Sequence, residues 1–527
     1  MKLTDITKSE FDKSVWEQKG YCLPQFDIQE LRKKTYEKPT WIHFGAGNLF
    51  RAFPAAVLQK ILDAGKYDRG VIVVGGYDTE AIQRNYHDND CLSILTLLKA
   101  DGTIEKSVIA SVTEALRLDS DFKEDKARLI DIFQNPSLQM VSFTITEKGY
   151  SPSEEDLVLG LNAMRPMGKV AALLLKRFEA GAYPITLQSM DNCARNGDVV
   201  RDAITTYAKQ WIKEGIAQNQ FLDYLEDESI VSYPWSMIDK ITPKPNEAVL
   251  EVLRADGLSE AKIAKTSKGT VVSPFVNAED TEYLVLEDTY TNGRPPLELG
   301  GVIYSNRDTV ELVEKMKVGT CLNPIHTAMS IFGCLLGYTR INEEMKDADI
   351  VALITKMAYK ESLPVVKDPG LINPKDFLDT VLTKRLPNPF LPDAPQRIAE
   401  DTSQKIPVRF GETIKAYLKQ GLDLSELTFI PLVFSAYARY LRGIDDNGNE
   451  FTLSPDPKLE ELRAIISELE VTNRPQDMSC LRKLFSQKEI FGVDLYSIGL
   501  GDKLEKMTSE LYSGIGAVRK TLNSYVN

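Results

Sequence analysis

The sequence predicts an α/β protein in which a doubly wound parallel sheet is followed by a mostly α-helical domain. Three observations predict this class. Strand-like and helix-like patterns alternate over the first 300 residues, a glycine turn joins an apolar strand to a helix near residue 45, and strand patterns become rare after the Pro/Gly-rich segment 292–301. We therefore expect two domains, residues 1–300 and 301–527.

The composition is that of an ordinary globular protein. The 527 residues exceed what one core usually holds, and 43% hydrophobic with 26% charged residues is typical of soluble domains. The net charge of −13 argues against the broad basic surface that nucleic acid or an anionic membrane would need. We expect neither as a partner, and an anionic substrate would require a local basic pocket.

Targeting signals and metal-binding patterns are not evident. Segment 1–21 lacks an apolar core of signal-peptide length, and no run of about 18 apolar residues occurs, which predicts a cytoplasmic protein. The 6 cysteines form no CxxC pair, and the sequence has only 3 histidines. We therefore expect reduced thiols and no metal. No pattern indicates an oligomeric state.

Four further strands are predicted in order after the one that precedes the glycine turn. Segment 70–78 is an apolar run that ends in polar turn residues. Segment 138–150 is a second run, followed by an amphipathic helix that stops at Gly181. Segments 183–192 and 230–243 are the third and fourth. Strands separated by helices of this length indicate a parallel sheet.

The stretch TWIHFGAGNLFRAF, residues 40–53, nearly matches the turn that binds dinucleotide phosphates, but Phe50 stands where the third glycine is usual. Pro54 suits a first helical turn, so we expect the regular helix to begin near residues 52–54. The residues before it would form an open turn whose amides face phosphate. The expected cofactor contacts are Gly45, Ala46, Gly47, Asn48, Leu49, Phe50 and Arg51.

Asp78 follows the next strand and could accept hydrogen bonds from both ribose hydroxyls of a dinucleotide. That contact would favour NAD over NADP. The residue lies farther along the chain than is usual for this role, and a solvated turn aspartate fits the position equally well.

Polar groups also follow other strands, at the edge where a doubly wound sheet binds ligands. We expect four strand ends to converge on one crevice, where Thr146 and Glu147 would lie beside the cofactor. These ends are Gly45 to Arg51, Thr146 to Lys148, Asp191 with Asn192, and Asp239 with Lys240.

Segment 306–338 of the second domain predicts two helices joined by a tight corner. Gly319 can end the first helix, while Asn323 and Pro324 have the pattern of an N-cap and first residue of the next. Lys317 and His326 would then meet across the corner. Taken singly, a lysine near a helix end is ordinarily a solvated charge, and such a histidine is ordinarily structural.

Five ordered motifs together resemble the long-chain mannitol dehydrogenase family. They are HFGAGNLFRAF, TITEKGY, SMDNCARNGD, SMIDKITP and the lysine, asparagine and histidine corner, and the resemblance spans roughly residues 40–440. It implies a Rossmann-type first domain, a helical second domain, and metal-independent NAD(P) chemistry with a catalytic lysine.

The resemblance also implies roles for individual residues. Lys317 would be the general acid/base, and Asn192 and Asn323 would hold the reacting oxygen. Further residues expected to contact substrate or assist proton passage are His326, Asp239, Arg397, Lys405 and Glu314. The second asparagine follows Lys317 by 6 residues where the family commonly has about 5, so Lys315 stays an alternative for the catalytic group.

The implied reaction explains these residue types. When hydride reaches a ketone carbon, negative charge develops on the oxygen and a proton must arrive, which a lysine can supply. An ordinary lysine has a pKa near about 10.4, so we expect the site to lower it toward about 7 to 8. Two asparagine amides would donate hydrogen bonds where the charge appears.

Details of the glycine turn and the corner resemble the fructuronate reductase branch. This predicts NADH-dependent interconversion of D-fructuronate and D-mannonate, with tagaturonate reduction and mannitol oxidation as alternatives within the family. The alternative from another class is a regulatory protein that binds NAD without turnover. The expected partner is thus a small sugar acid or polyol.

Overall fold

The computed structural model describes residues 1–8, 10–119, 121–391 and 393–527. The chain divides into two compact units. The first comprises Met1–Lys99 and Thr103–Glu311, and the second comprises Leu312–Asn527 together with Ala100–Gly102.

The strands of the described chain all belong to the first unit. In chain order they are β1 (Tyr21–Cys22), β2 (Trp41–Phe44), β3 (Val71–Gly75), β4 (Ser93–Leu98), β5 (Ile104–Ile109), β6 (Val112–Arg117), β7 (Met140–Phe143), β8 (Ile185–Ser189), β9 (Val231–Ser232), β10 (Ser236–Asp239), β11 (Ala264–Lys265), β12 (Val271–Val272), β13 (Phe275–Glu279), β14 (Tyr283–Glu287) and β15 (Ile303–Ser305).

The helices of this unit lie mainly between these strands. They are α1 (Lys13–Glu17), α2 (Ile28–Glu37), α3 (Asn48–Ala52), α4 (Pro54–Asp63), α5 (Thr79–Asn85), α6 (Lys123–Gln134), α7 (Glu147–Tyr150), α8 (Glu154–Leu157), α9 (Pro166–Gly181), α10 (Asn196–Lys213), α11 (Asn219–Glu226) and α12 (Glu247–Ala255), and α13 (Arg307–Met316) contributes residues to both units.

The predicted doubly wound sheet is confirmed. Among the described residues it has six parallel strands in the order β6-β3-β2-β7-β8-β9. Strand β2 is central, with Ile42 opposite Ile72 on one side and Val141 on the other. Separate clusters of buried apolar side chains pack on the sheet, as expected when helices cover both faces. The carboxyl ends of β2, β7 and β8 are therefore adjacent.

The prediction of one strand over 230–243 is wrong. Strand β9 closes the edge of the parallel sheet, whereas β10 pairs antiparallel with β14 in a smaller sheet of order β10-β14-β15. Pro234 lies between them, and proline has no N–H to continue a ladder. The next amide, that of Trp235, donates to the Glu287 carboxylate instead, at 2.9 Å. Asp239 thus ends a strand of a different sheet.

The second unit is mostly helical, as predicted. Its helices are α14 (Asn323–Leu336), α15 (Ile341–Glu344), α16 (Ala348–Lys356), α17 (Pro374–Thr380), α18 (Pro395–Ile398), α19 (Thr402–Ile406), α20 (Glu412–Gln420), α21 (Phe429–Tyr440), α22 (Leu459–Ile465), α23 (Cys480–Phe485), α24 (Lys488–Phe491), α25 (Gly501–Leu511) and α26 (Ala517–Val526). Segments with π-helical hydrogen bonding occur at Lys317–Cys321, Met357–Ser362, Val381–Arg385 and Pro407–Gly411. Across the described parts of the chain, no helix combines the length and apolarity needed to cross a membrane.

A buried carboxyl group lies in the core of the second unit. Glu344 at the end of α15 is fully buried, and neither carboxyl oxygen has a hydrogen-bond partner among the described residues. The group packs against α14 so closely that a Cβ on Gly333 would lie 2.4 Å from Oε1. Burial, with a smaller contribution from Asp347, raises the pKa of Glu344 to about 9.

This carboxyl group should make the protein less stable as the pH rises. Between the ordinary pKa of 4.5 and about 9, the unfolded chain ionises Glu344 while the folded chain keeps it protonated. The folded state then holds more protons, so the free energy of unfolding falls by up to about 1.4 kcal/mol per pH unit. In Glu344→Gln this contribution is absent. Its melting temperature relative to wild type should rise from about pH 5 to about pH 8, and a constant difference would contradict the assignment.

Candidate active site

The glycine turn after β2 requires its first glycine. Gly45 has φ +120°, and a Cβ there would lie 2.1 Å from the carbonyl oxygen of Thr144. Its own N–H donates to the carbonyl of Val74, which fixes the turn between two neighbouring strands. A Cβ on Gly47 would meet nothing within 4 Å, so this backbone borders open space. A ligand can approach the main chain closely there.

The expectation of an open turn up to Arg51 is wrong, because α3 already begins at Asn48 with Gly47 at its N-cap. The side chain of Phe50, at the position of the missing glycine, stacks on the ring of His43 at 4.2 Å between centroids. This inward packing stabilises the helical turn. Phe53 interrupts the helix, and Pro54 begins α4 as predicted for a first turn.

Arg51 lies inside the unit beneath the glycine turn. The side chain is 1% exposed, Nη2 donates to the carbonyl of Ser273 at 2.9 Å, and the guanidinium lies over the ring of Tyr86. Nε and Nη1 have no partner among the described residues. The Tyr86 hydroxyl in turn donates to the carbonyl of Ala46, at 3.0 Å. The arginine therefore supports the turn from within, and a direct phosphate contact stays a prediction.

Asp78 caps the helix after β3 and is not a solvated turn residue. The carboxylate accepts the amide of Ala81 at 3.3 Å and the Thr266 hydroxyl at 2.6 Å. Burial acts to raise the pKa of Asp78, but these hydrogen bonds outweigh it and the pKa lies below its ordinary value. The carboxylate is thus held in place at a strand end next to the glycine turn. Its contact with ribose stays a prediction.

Asp191 organises the neighbouring loop after β7. Its carboxylate accepts the amides of Ile145 and Thr146 and the Tyr150 hydroxyl, the last at 2.6 Å. Thr146 has φ +67°, a strained conformation for a threonine that these hydrogen bonds help to stabilise. Burial raises the pKa of Asp191. Thr146 and Glu147, both exposed, are thereby fixed beside the end of β8.

Asn196 joins the ends of two sheets and was not singled out from the sequence. Its fully buried side chain donates to the carbonyl of Asp191 at 3.0 Å and accepts the amide of Ser236 at 2.9 Å. Because Ser236 begins β10, the second sheet is tied to the end of β8. The exposed Asn192 lies in the loop between Asp191 and Asn196, and Asp239 is buried at the far end of β10. The sequence feature that could have pointed to Asn196 is the Asn-Gly pair at the start of α10.

In the second unit, Lys317 begins a π-helical turn. The side chain is 4% exposed, whereas that of Lys315 is exposed. The prediction that Gly319 ends the helix is wrong, since helical hydrogen bonding continues to Cys321. A π-turn contains one residue more than an α-turn, which accommodates the 6-residue spacing from Lys317 to Asn323. Glu314 lies one helical turn before Lys317 and is partly buried.

Helix α14 begins one residue earlier than predicted. Asn323 is its first residue and Leu322 occupies the N-cap position, where its carbonyl accepts the amide of His326 at 3.2 Å. Pro324 still falls in the first turn, where its missing N–H costs nothing. Asn323 and His326 are three residues apart and lie on one side of the helix, both partly exposed. The π-helical segment that begins at the buried Lys317 packs directly against this helix.

The two cations expected to bind substrate differ in their surroundings. Arg397 directs Nε and Nη2 at both oxygens of Asp393, and its side chain is 67% exposed. Lys405 is half-buried, and in the described part of the chain it donates only to the backbone carbonyls of Ile398 and Glu400. Burial, then the nearby Arg409, lowers the pKa of Lys405.

Arg409 is a further cation that the sequence reasoning missed. It lies in the π-helical segment Pro407–Gly411, which packs against the turn that begins at Lys317. Nη1 donates to the Thr327 hydroxyl at 2.6 Å and to the carbonyl of Asn323 at 3.4 Å. The available signal was its spacing of four residues from Lys405, which places both on one helical face. Burial lowers the pKa of Arg409 to about 10.

Residue types that bind metals do not cluster in the described parts of the chain. No group of three or more histidine, cysteine, aspartate or glutamate side chains there is arranged to hold an ion. His43, one of the few candidates, instead bonds the hydroxyls of Ser142 and Thr144 inside the sheet. Burial lowers the pKa of His43 to about 3, which keeps its ring neutral.

Comparison with known proteins agrees with this architecture. Residues 39–299 match the family model described as the mannitol dehydrogenase Rossmann domain, and residues 309–505 match the mannitol dehydrogenase C-terminal domain. The D-mannonate oxidoreductase of Thermotoga maritima is 48% identical over 98% of this chain and 97% of its own. A mannitol 2-dehydrogenase of Pyrenophora tritici-repentis is 30% identical over 84% of this chain and 76% of its own.

Two solved structures share the whole fold. Mannitol 2-dehydrogenase of Pseudomonas fluorescens, in a ternary complex with NAD and D-mannitol, superposes with a TM-score of 0.69 at 26% identity, covering 98% of this chain and 99% of that one. A substrate-free D-sorbitol dehydrogenase gives a TM-score of 0.76 at 25% identity, covering 96% and 98%. The chain therefore belongs to the mannitol dehydrogenase family, and it is an oxidoreductase.

Proposed function

We propose that this protein is an NAD-dependent oxidoreductase that interconverts D-fructuronate and D-mannonate. The observation that carries the proposal is the 48% identity to a D-mannonate oxidoreductase over 98% of the chain. The two mannitol 2-dehydrogenases compared above are more distant from this chain, at 30% and 26% identity. The resemblance of the glycine turn and of the lysine, asparagine and histidine corner to the fructuronate reductase branch implies the same reaction.

The first unit has features that fit a dinucleotide. Gly45 has no room for a Cβ, Gly47 borders open space, and the first turn of α3 begins directly after it with amide groups that lack helical partners. We assign the pyrophosphate to the backbone of Gly45 to Phe50, and a ribose to Asp78. The neighbouring loop with Thr146 and Glu147 would border the nicotinamide. A carboxylate at Asp78 favours NAD, because the extra phosphate of NADP would be repelled.

The chemistry divides between the bound cofactor and the protein. Bound NADH supplies the hydride for the ketone carbon. Lys317 donates the proton to the ketone oxygen in reduction and accepts it from the alcohol in oxidation. The amides of Asn192 and Asn323 donate hydrogen bonds to that oxygen as charge develops, a contribution of roughly 3 to 4 kcal/mol per donor in comparable sites. Glu314, one turn from Lys317, would pass the proton toward solvent.

Burial supports Lys317 over Lys315 for this role. A lysine that exchanges protons with a bound substrate must lie where water is largely excluded, and the Lys317 side chain is 4% exposed while Lys315 is exposed. We place His326 and Asp239 at substrate hydroxyls. His326 is partly exposed in the first turn of α14, where the positive end of the helix dipole favours the neutral ring.

Steady-state assays test the proposal directly. NADH oxidation by the purified protein should be fastest, judged by kcat/KM, with D-fructuronate, slower with D-tagaturonate, and slowest with D-fructose. D-mannonate with NAD should show the reverse reaction, and NADPH should be a poorer donor. Preference for D-fructose would instead support mannitol 2-dehydrogenase activity. NADH binding without turnover of any of the three would support a regulatory protein.

A further inference from the structure

Two cations of the second unit, Arg409 and Lys405, form no ion pair with a carboxylate among the described residues. Arg409 donates Nη1 to the Thr327 hydroxyl and to the carbonyl of Asn323. Lys405, one helical turn earlier, donates only to backbone carbonyls. Nε and Nη2 of Arg409 have no hydrogen-bond partner among the described residues. Neither atom is fully buried, so both remain in contact with solvent. Both cations can therefore accept an anion from outside.

Burial disfavours the charged form of both cations, so a bound anion would stabilise them. Two like charges that share a helical face repel. Burial and then Arg409 lower the pKa of Lys405, while Asp401 and Glu400 act in the opposite direction and only partly offset them. Burial also lowers the pKa of Arg409, and no acidic group among the described residues offsets it. A carboxylate between them would remove the repulsion and would suit the planar guanidinium, which can bind it with two hydrogen bonds.

The position of Arg409 connects this cation pair to the reacting end of the substrate. Its hydrogen bonds reach the first turn of α14, and its segment packs on the π-turn of Lys317. A sugar acid whose ketone oxygen is held by Lys317 and Asn323 would carry its carboxylate at the far end of a short chain. Arg397 is less suited to bind that carboxylate, because Asp393 already occupies two of its nitrogens.

We propose that Arg409, together with Lys405, binds the carboxylate of the sugar-acid substrate and so determines the preference for uronates over neutral ketoses. The proposal rests on the proposed function and extends it to a residue outside the expected site. Arg409 would also position Asn323, because its hydrogen bonds to Thr327 and to the carbonyl of Asn323 stabilise the first turn of α14.

Substitution of Arg409 tests the assignment. In Arg409→Gln we expect the KM for D-fructuronate to rise by about 10- to 100-fold, with a smaller fall in kcat. Arg409→Lys keeps the charge but not the fork, and should show an intermediate KM. Thr327→Val removes the hydroxyl that accepts Nη1 while leaving the cation, and should affect kcat more than KM. Arg463→Gln, an exposed arginine on α22, is the matched control and should resemble wild type.

Equilibrium binding separates failure of this assignment from failure of the proposed function. Calorimetric titration with D-mannonate in the presence of NADH reports carboxylate binding without turnover. Wild-type binding with about 10- to 100-fold weaker binding in Arg409→Gln supports the assignment. Equal binding by the two proteins, or an equal or larger loss in Arg397→Gln, overturns it and leaves the function intact. Wild type that neither binds D-mannonate nor reduces D-fructuronate overturns both. Melting temperatures show whether each variant is folded. If Arg409→Gln is not folded, the same binding comparison is made with Arg409→Lys.

Discussion

Replacing Lys317 with methionine should lower kcat for D-fructuronate reduction by about 10²- to 10⁴-fold, the range expected for loss of a positioned general acid. Methionine retains the length and apolar stem of the side chain and removes only the group that transfers the proton. Because Lys317 is buried in the second unit, whereas the glycine turn belongs to the first, NADH affinity should be unchanged. Stopped-flow measurement of a single turnover separates the chemical step from product release.

Lys315→Met is the matched control for this experiment. Lys315 lies two residues earlier in α13, carries the same charge, and is exposed. Surface substitutions of this kind usually change stability by less than about 0.5 kcal/mol, so we expect near wild-type kinetics. If Lys315→Met lost activity and Lys317→Met retained it, the catalytic role would belong to Lys315. If both retained activity, the lysine mechanism would be wrong.

The architecture could largely be predicted from sequence because its signals are local. The glycine turn, the apolar strands and the stop at Gly181 each depend on a few neighbouring residues. The split of segment 230–243 could not be predicted as readily, since it depends on which distant strand pairs with each half. Pro234 was a visible warning, but the partner of β10 is β14, some 45 residues later in sequence.

The limits of prediction at the site have the same origin. Phe50 was expected in an open turn, yet its stacking on His43 stabilises a helical turn. Gly319 permits a helix to end, but glycine does not require it, and the wider π-turn continues through it. The hydrogen bond from Arg409 to Thr327 depends on tertiary neighbours, which composition and spacing do not reveal.

The second large effect concerns the two asparagines. Asn192→Ala and Asn323→Ala should each lower kcat by about 10²- to 10³-fold, as for removal of a donor to a developing oxyanion. Asn192 belongs to the first unit and Asn323 to the second, and the proposed function assigns both amides to one substrate oxygen. Rates for wild type, both single variants and the double variant define a double-mutant cycle.

We expect the two losses to be strongly non-additive, because residues that hold one atom depend on each other for its position. Once either amide is lost, the oxygen moves and the remaining amide contributes less, so the double variant should be much more active than the product of the single effects predicts. Asn473→Ala, an exposed asparagine of the second unit, provides the control when combined with Asn192→Ala and should be additive. Full additivity of Asn192→Ala with Asn323→Ala would mean that the two amides act on separate atoms, and the shared oxygen site would then be wrong even if both residues are essential.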